Sequence, residues 1–571
     1  MTGTAPAAGL AIGPRRHERP SDRAMVTLGV LDGTSAATVD GGGLVAPTGV
    51  AWSLDWWIGA DDRWYLPARE ATVRQGRQGV GPVVETTMRI PSGNARHVAY
   101  STLVDGAEVT VIEIHNESPV PVALALAVRP YRPTGSPAAS LSITTDGERH
   151  LIVDDRVAVV LPRRPNESGA SEDTDLLSML TEGDPLAWPA AGRVDGPAAN
   201  AVALYPLPHR TSLRVVVPHP PDDAEWSARS SATLLGTGAA PDPAAAPDPE
   251  QIARGWSSVL DAAARVELPD DGLSSRLGAA RSRMLLASSR LPAALTALEP
   301  GAGALLGALA AMGHRTGLEL ALAAIADTFP SRLVHGPVAA AEIVAALDTA
   351  VVVSGRAVDD ALLEVAMQLT HLVAKSRDAD ARITAERGLA ALARRAGNTA
   401  AAGRLERSLP APDLADLAAV VDLAEAASAA GAWPAPVDGA AGALHAQGPS
   451  PLELADDGDD PAAAARFVAA VRDLVVDDRG DDVDLMPGYP SAWRGGNGEV
   501  HRLPTRHGLV SYGIRWHGAR PALLWEADDG VRLRCSALDP EWSTTDARGE
   551  TLLTGAADAL GSAPAAGESF S

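Results

Sequence analysis

The hydrophobic period of this chain changes at one place, and that change limits its fold more than any motif does. Before Gly236, apolar and polar residues alternate in short runs such as Glu108–Ile114, and turn pairs such as Asp105-Gly106 separate the runs. Short alternating runs with frequent turns are typical of antiparallel sheets. Residues 236–249, GTGAAPDPAAAPDP, have the composition of a linker. The sequence therefore predicts a β-sandwich over residues 25–235, followed by this linker.

After the linker, apolar residues recur at the spacing of a helix face. Predicted helices lie near residues 250–265, 273–290, 301–312, 315–328, 338–353, 357–376, 380–396, 398–408, 412–430 and 461–477. Short turns such as Gly313-His314 and Ser354-Gly355 join several of them into αα-hairpins. We predict an αα-hairpin domain over residues 250–480.

The chain returns to a strand pattern near its end. Polar and apolar residues alternate from Leu509 to Trp516, and a Gly- and Pro-containing turn follows. The sequence predicts a small β-module over residues 484–553. Trp493, Trp516 and Trp525 should be mostly buried and pack the small sheet against the helical domain or the sandwich. Residues 1–24 and 554–571 lack any period, and we predict that both are disordered tails.

Composition narrows the possible partners and cofactors. The 571 residues carry a formal net charge of −24 and show no basic stripe, so nucleic acids and anionic membranes are not expected partners. No stretch approaches a transmembrane span, and we expect a cytoplasmic protein.

Cys535 is the only cysteine, which excludes an intrachain disulfide. His501, His507 and His517 lack metal-binding spacing, so neither a metal nor a cofactor is expected. Oligomeric state is left open.

Three stretches carry a resemblance to a known group of enzymes. They are Trp52–Trp64 leading to Arg69-Glu70, Gly303–His314, and Ala341–Leu347 leading to Ser354-Gly355. With the order of parts, they resemble the six-hairpin glycosidases, which include glucoamylase-like and glycogen-debranching-like enzymes. The resemblance implies an α+β multidomain protein with an antiparallel β supersandwich, an (α/α)6-like helical domain and a C-terminal β-module. It also implies a carbohydrate-active protein that acts on or binds a glycan.

This chain departs from that group at the segment that grips the sugar. Where relatives show Trp-x-Arg-Asp, it has Leu298-Glu299-Pro300-Gly301, with one acid and no guanidinium. Aromatic residues, which usually line sugar subsites, are also sparse between residues 250 and 480. The departure favours a degenerate member, so weak or absent hydrolysis of common α-glucans is expected.

Two glutamates are the candidate catalytic residues. Glycoside hydrolysis requires two carboxyl groups across the scissile bond, one of which stays protonated. Glu299 directly precedes the predicted helix 301–312, and Glu342 lies early in the predicted helix 338–353. In an αα-barrel both could face one cleft and support inverting hydrolysis. The alternative is that each only complements a helix dipole.

The candidate substrate-binding residues lie in the densest aromatic and acidic run of the chain. Trp56, Trp57, Asp61 and Trp64 belong to this run, and indole faces can stack on a sugar ring. The alternative is that these tryptophans pack the sandwich core.

Two functions therefore remain open from the sequence. One is a carboxylate-based, inverting glycoside hydrolase. The other is a degenerate protein that binds a glycan or a protein partner without hydrolysing it.

Overall fold

A computed structural model describes most of the chain. The described residues are 25–60, 63–130, 140–145, 148–172, 180, 192–219, 240–315, 317–328, 333–409, 460–518 and 520–555. The predicted tail 1–24, the predicted helix 412–430, Asp61 and nearly all of the predicted tail 554–571 lie outside them. Chain contacts divide the molecule into two compact units, Met1–Ala253 and Arg254–Ser571.

The first unit contains two antiparallel sheets. The strands of its first sheet are β1 (Val26–Gly29), β2 (Ala36–Val39), β3 (Val45–Pro47), β4 (Ser53–Ala60), β5 (Arg63–Tyr65), β10 (Val122–Arg129), β14 (Glu167–Ser171) and β16 (Asn200–Leu207). They pair in the order β1-β2-β3-β4-β10-β16-β14, and β5 adds to β4. Sequential strands such as β1, β2 and β3 are neighbours because short turns join them.

The second sheet is larger. Its strands are β6 (Arg74–Arg77), β7 (Val84–Ile90), β8 (Gly93–Val104), β9 (Ala107–Asn116), β11 (Leu141–Thr145), β12 (His150–Val153), β13 (Arg156–Val160), β15 (Arg193–Gly196) and β17 (Ser212–Pro218). They pair in the order β15-β11-β12-β13-β17-β9-β8-β7-β6. The predicted turn Asp105-Gly106 joins β8 to β9 with positive φ at both residues, 52° and 80°, as a tight hairpin requires.

One apolar core holds the two sheets face to face. Leu54, Trp56 and Ile58 from β4 share this core with Ile112 and Ile114 from β9. Alternate residues of a strand point to opposite faces. Val109 and Val111 of β9 therefore belong to a second cluster, on the other face of their sheet.

A helical region begins at the boundary between the two units. Its helices are α1 (Pro249–Asp261), α2 (Asp271–Ala287), α3 (Leu291–Thr296), α4 (Ala302–Ala311), α5 (Leu318–Ala326), α6 (Pro337–Ser354), α7 (Asp360–Ala374), α8 (Ala379–Arg395), α9 (Thr399–Glu406) and α10 (Pro461–Val475). Asp270, Asp359, Asp378, Asn398 and Asp460 cap five of them by accepting a backbone N–H. Helix α3 is missing from the sequence prediction.

Helix α4 lies at the centre of this packing. It contacts α6 on one side and α10 on another, and α6 also packs against α8. By length and hydropathy, the 18 residues of α6 could cross a membrane, so the prediction that no segment approaches such a span is wrong. However, 61% of α6 is buried inside the protein, and the core helix of a globular domain passes the same test.

Two further sheets complete the second unit. The strands outside the helical region are β20 (Val483–Leu485), β21 (Gly498–Thr505), β22 (Gly508–His517), β23 (Arg520–Ala527), β24 (Leu533–Cys535), β25 (Asp539–Thr544) and β26 (Arg548–Leu552). The helical region adds β18 (Arg265–Glu267) and β19 (Val476–Asp477). The pairing orders are β18-β21-β22-β23-β26 and β19-β20-β24-β25.

The order of antiparallel sheets, helices and further sheets matches the order predicted from the sequence. The stretch over 250–480 also contains two short strands, β18 and β19. A closed (α/α)6 barrel stays a prediction.

Candidate functional site

The start of α4 has no side-chain cap from its own N-cap residue, which is a glycine. Gly301 occupies the cap position with φ of 82°, a left-handed conformation that favours glycine. A side chain at Gly301 would also collide with Ala462 of α10. The first amides of a helix lack acceptors within the helix, so they require partners from elsewhere.

Glu342 provides these acceptors from a different helix. Its carboxylate accepts hydrogen bonds from the backbone N–H groups of Gly301 and Ala304. The approach of α6 depends on Gly303, where an added Cβ would lie 2.6 Å from the Cβ of Glu342. The close approach at Gly303 therefore brings a carboxylate of α6 to the N-terminal end of α4.

The surroundings of Glu342 act on its pKa in opposite directions. Burial raises the pKa of this half-buried carboxyl, whereas Arg466 of α10 and the two backbone amides lower it. Burial prevails, and the pKa is raised above its ordinary value. A carboxyl that retains its proton more readily is what a general acid requires.

Glu299 lies at the same end of α4. Its backbone carbonyl accepts the N–H of Ala302 at 3.2 Å, and its residue is exposed. The structure thus brings both predicted catalytic glutamates to one helix start. Their catalytic roles stay predictions, and Glu342 also has the helix-capping contact that the alternative describes, though it caps α4 and not its own helix.

Arg466 is the residue of this site that the sequence did not indicate. Its Nη2 lies 3.9 Å from the point where a Cβ on Gly301 would be, and its charge acts on the Glu342 carboxyl. The segment 298–301 itself contains no arginine. Arg466 lies on a helix that begins more than 150 residues later in the chain.

Two of the predicted substrate-binding tryptophans are buried. Trp56 is 1% exposed, its Nε1 donates to the Gly42 carbonyl at 3.0 Å, and its ring stacks on His97 at 5.4 Å. Trp57 is 3% exposed and packs on the opposite face of the sheet with Leu66 and Leu180. Neither indole presents an open face to a sugar, because protein atoms pack around both rings.

Trp64 is half-buried and donates its Nε1 to the Leu180 carbonyl at 3.2 Å. It packs against the same cluster as Trp57. Packing of the sandwich, the alternative weighed in the sequence, describes the contacts of all three tryptophans. Asp61 lies outside the described residues.

The Gly-His end of α4 is buried at the opposite end of the helix from Glu342. Nε of Arg281 donates to Nε2 of His314 at 3.2 Å, and Nη2 of Arg281 donates to the Leu260 carbonyl at 2.8 Å. Burial and the Arg281 charge lower the pKa of His314 to about 3. The imidazole therefore stays neutral and acts as a structural acceptor.

The C-terminal aromatic residues also form a packed group. Trp493 and Trp525 are buried and Trp516 is half-buried, as their alternation predicted. Nε1 of Trp516 donates to the Tyr489 hydroxyl at 2.8 Å, and that hydroxyl donates to the Trp493 carbonyl at 2.8 Å. The Tyr489 ring lies against the rings of Trp493 and Trp516, with centroids 6.1 and 6.0 Å away.

Two histidines of this module, His501 and His507, have individual partners. Nε2 of His501 lies 3.2 Å from the Glu499 carboxylate, and Nε2 of His507 lies 2.9 Å from the Gly480 carbonyl. Within the described ranges, His, Cys, Asp and Glu form no group of three or more that could hold a metal. Cys535 is buried, and burial raises the pKa of its thiol.

Comparisons with known proteins give partial similarities in structure. No family model and no curated protein sequence matches the chain. A bacterial glucoamylase complexed with acarbose matches 67% of this chain and 65% of its own, with 8% identity and a TM-score of 0.44. A family GH92 inverting mannosidase from Bacteroides thetaiotaomicron matches 64% and 55%, with 12% identity and a TM-score of 0.36. This chain therefore spans less than two thirds of either protein, and similarities at this level assign no residue a role.

Proposed function

We propose that this chain is a carbohydrate-active protein that binds a glycan near the start of α4 without hydrolysing it efficiently. The observation that carries the proposal is the Glu342 carboxylate, which accepts from the backbone amides of Gly301 and Ala304 and is acted on by the charge of Arg466. Fixed acceptors and donors at one place are what sugar hydroxyls require for oriented binding. Glu299, which is exposed beside them, adds a second carboxyl.

The same contacts argue against efficient chemistry. A general acid must direct its proton at the leaving oxygen, and here the carboxyl oxygens of Glu342 already accept from Gly301 and Ala304. Turnover would require Glu342 to give up contacts that hold the end of α4. We therefore expect binding to exceed catalysis at this site.

An inverting glycoside hydrolase is the second candidate function. The observation in its favour is the raised pKa of Glu342, combined with the position of Glu299 at the same helix start. Such a pair could act as acid and base if the carboxyl groups lie about 6.5–9.5 Å apart across an open cleft.

The experiment measures glycan binding and glycan hydrolysis on the purified full chain. Maltose, trehalose and dextrin are tested by calorimetric titration and by release of reducing sugar or glucose. We expect binding to at least one of them, with hydrolysis near the uncatalysed level. The variant Glu342→Gln should weaken binding by about tenfold, a loss equivalent to one charged hydrogen bond.

Glu364→Gln is the matched control, since Glu364 is an exposed glutamate on α7. It should leave binding unchanged. Robust turnover that Glu342→Gln abolishes would favour the hydrolase instead. Turnover that survives both Glu299→Gln and Glu342→Gln would mean that other residues form the active site. No binding to any of the three glycans would contradict the proposed binding for this substrate class.

A further inference from the structure

The face of the second sheet that points away from the sandwich core is partly covered by residues 242–248, which we call the strap. The strap lies inside the Pro- and Ala-rich run 236–249 and directly precedes α1. Ala246 of the strap is buried in the second apolar cluster, which lies on this face. Ile252 and Ala253 of α1 pack against the same cluster. The strap therefore has an apolar seat on the sheet.

A cluster of polar side chains stands beside this seat, on β8, β9 and β17. Arg214 lies directly opposite Glu113 in the pairing of β17 with β9, and its Nη2 is 2.7 Å from Oε1 of Glu113. The Tyr100 hydroxyl lies 2.9 Å from the same carboxylate oxygen, and Nε2 of His115 lies 3.3 Å from the other one. The Glu113 side chain is only 7% exposed, so its charge depends on these partners.

Two members of the cluster also reach the backbone and one side chain of the strap. Nη1 of Arg214 donates to the Ala246 carbonyl at 2.7 Å, and Nη2 donates to Oδ1 of Asp248 at 2.8 Å. The Tyr100 hydroxyl lies 2.7 Å from the Pro247 carbonyl oxygen. Three consecutive residues of the strap are thus held by two side chains that share one buried carboxylate.

We propose that Tyr100, Glu113 and Arg214 form a latch that holds the strap on the second sheet, and that loss of the latch releases the strap while the sheet stays folded. The release would convert this part of the Pro- and Ala-rich run from an ordered segment into a flexible linker. The proposal does not depend on the glycan site at α4.

The strap and the sheet differ in what holds them. Strand β9 is paired along its length with β8 and β17 through backbone groups, which the latch does not provide. The strap contains Pro243 and Pro247, which have no N–H to donate, so it cannot join the sheet as an ordinary strand. Its carbonyl groups therefore depend on side-chain donors for their hydrogen bonds.

The strap has one other charged contact, and it is a surface contact. Nη2 of Arg149 lies 3.4 Å from Oδ1 of Asp242, with side chains that are 43% and 56% exposed. An ion pair this exposed contributes little to stability. Arg149 therefore provides a matched control for Arg214, since both arginines contact an aspartate of the strap.

A spin label on the strap tests the proposal in the full-length chain. Cys535 is the only cysteine and is buried, so a nitroxide attached to Ala245→Cys reports on the strap alone. Ala245 is exposed, which keeps the label out of the apolar seat. The labelled parent is compared with labelled Arg214→Met, Tyr100→Phe and Arg149→Met by electron paramagnetic resonance, and the ratio of mobile to immobile label is measured.

We expect this ratio to rise about tenfold in Arg214→Met, as for the loss of a charged hydrogen bond, and about threefold in Tyr100→Phe. Arg149→Met should stay within about twofold of the parent. Tyr100→Phe leaves Glu113 paired with Arg214, so it serves if Arg214→Met does not fold. Circular dichroism and thermal unfolding of the same samples should show that the strands persist when the label becomes mobile.

Three outcomes would overturn the latch. The first is an unchanged ratio in both Arg214→Met and Tyr100→Phe. The second is a label that becomes mobile only at the temperature where the strand signal is lost, because the strap and the sheet would then be one cooperative unit. The third is an equal rise in Arg149→Met, because an exposed contact would then hold the strap as well as the buried cluster does.

Discussion

The sheets of Met1–Ala253 and the helices of Arg254–Ser571 bury carboxylates with different kinds of partner. In β4, Oδ2 of Asp55 lies 3.1 Å from Nη1 of Arg129, a direct ion pair. In α6, Glu342 accepts from the amides at the start of α4, and Arg466 acts on it as well. Burial raises the pKa of both carboxyls.

The difference follows from which backbone groups are free in each kind of structure. Most amides of an inner strand are already paired with the neighbouring strands. Among the described residues Asp55 accepts only one backbone N–H, that of Trp56 at 2.9 Å, so its other oxygen depends on the side-chain cation. A helix start has unpaired amides that can satisfy a carboxylate directly. Loss of the cation should therefore cost more in the sheet than in the helical region.

Removal of Arg129 is the most severe test of this comparison. We expect Arg129→Met to lower the free energy of unfolding by about 3 kcal/mol, because it leaves Asp55 buried without its cation. Urea denaturation measures the loss, with Arg89→Met on the exposed face of β7 as the control. Asp55→Asn added to Arg129→Met should recover part of the stability. A loss no larger than the control's would mean that Asp55 does not depend on this cation.

A substitution at Gly303 tests whether α6 must approach α4 closely to deliver its carboxylate. Gly303→Ala should destabilise by about 2 kcal/mol, because its Cβ would crowd the backbone and Cβ of α6 at Glu342. Gly307 provides a control on the same helix, since a Cβ there would lie 3.4 Å from the Cβ of Ala346, an ordinary contact.

Gly307→Ala should be neutral or slightly stabilising, because alanine favours helix more than glycine does. Equal losses at both glycines in chemical denaturation would show that the close approach at Gly303 has no special importance.

Asp40 sharpens the comparison of the two units. It lies in the unit of sheets, yet backbone amides donate hydrogen bonds to its carboxyl. Its Oδ1 accepts the N–H groups of Gly42 and Leu44 at 2.8 and 2.9 Å, in the turn between β2 and β3. Burial outweighs these hydrogen bonds and raises the pKa of Asp40 to about 6. A raised folded pKa means that stability present below the unfolded pKa is lost as the pH rises through about 6.

Asp40→Asn should remove this part of the pH dependence. We expect the variant to gain about 1 kcal/mol relative to the parent between roughly pH 4 and pH 7, after allowance for the partial exposure of Asp40. Unfolding curves at several pH values measure this gain. Asp105 lies in an exposed hairpin turn, so the stability of Asp105→Asn should change with pH in the same way as that of the parent. A parallel curve for Asp40→Asn would contradict the assigned pKa shift.

Local sequence patterns predicted the helices and strands best where the spacing of apolar side chains alone determines them. The predicted helix 338–353 corresponds to Pro337–Ser354, and the predicted run Glu108–Ile114 lies inside the strand Ala107–Asn116. The helix Leu291–Thr296 was missed. It follows a short 3₁₀ turn, Ser288–Arg290, and has a proline in its first turn, a residue that is tolerated at a helix start and disrupts a helix interior.

The candidate site was only partly predictable, because it depends on contacts between helices distant in the sequence. The positions of Glu299 and Glu342 near helix starts follow from helix spacing alone. The partner of Glu342 does not, since nothing local distinguishes Arg466 from the other arginines of the helical region. The burial of Trp56 and Trp57 on opposite faces of one sheet follows from strand alternation, but which faces are covered depends on the second sheet and on Leu180.

The short strand β18 makes the C-terminal sheets difficult to separate from the helices. Arg265–Glu267 leaves the end of α1 and pairs with Glu499–His501, while β19 continues directly from α10 into the other sheet. The Tyr512 hydroxyl also donates to the Val475 carbonyl at 2.5 Å. A fragment cut near residue 480 would expose an unpaired edge on each part. In a modular rearrangement, the helices and the last sheets would therefore have to be transferred together.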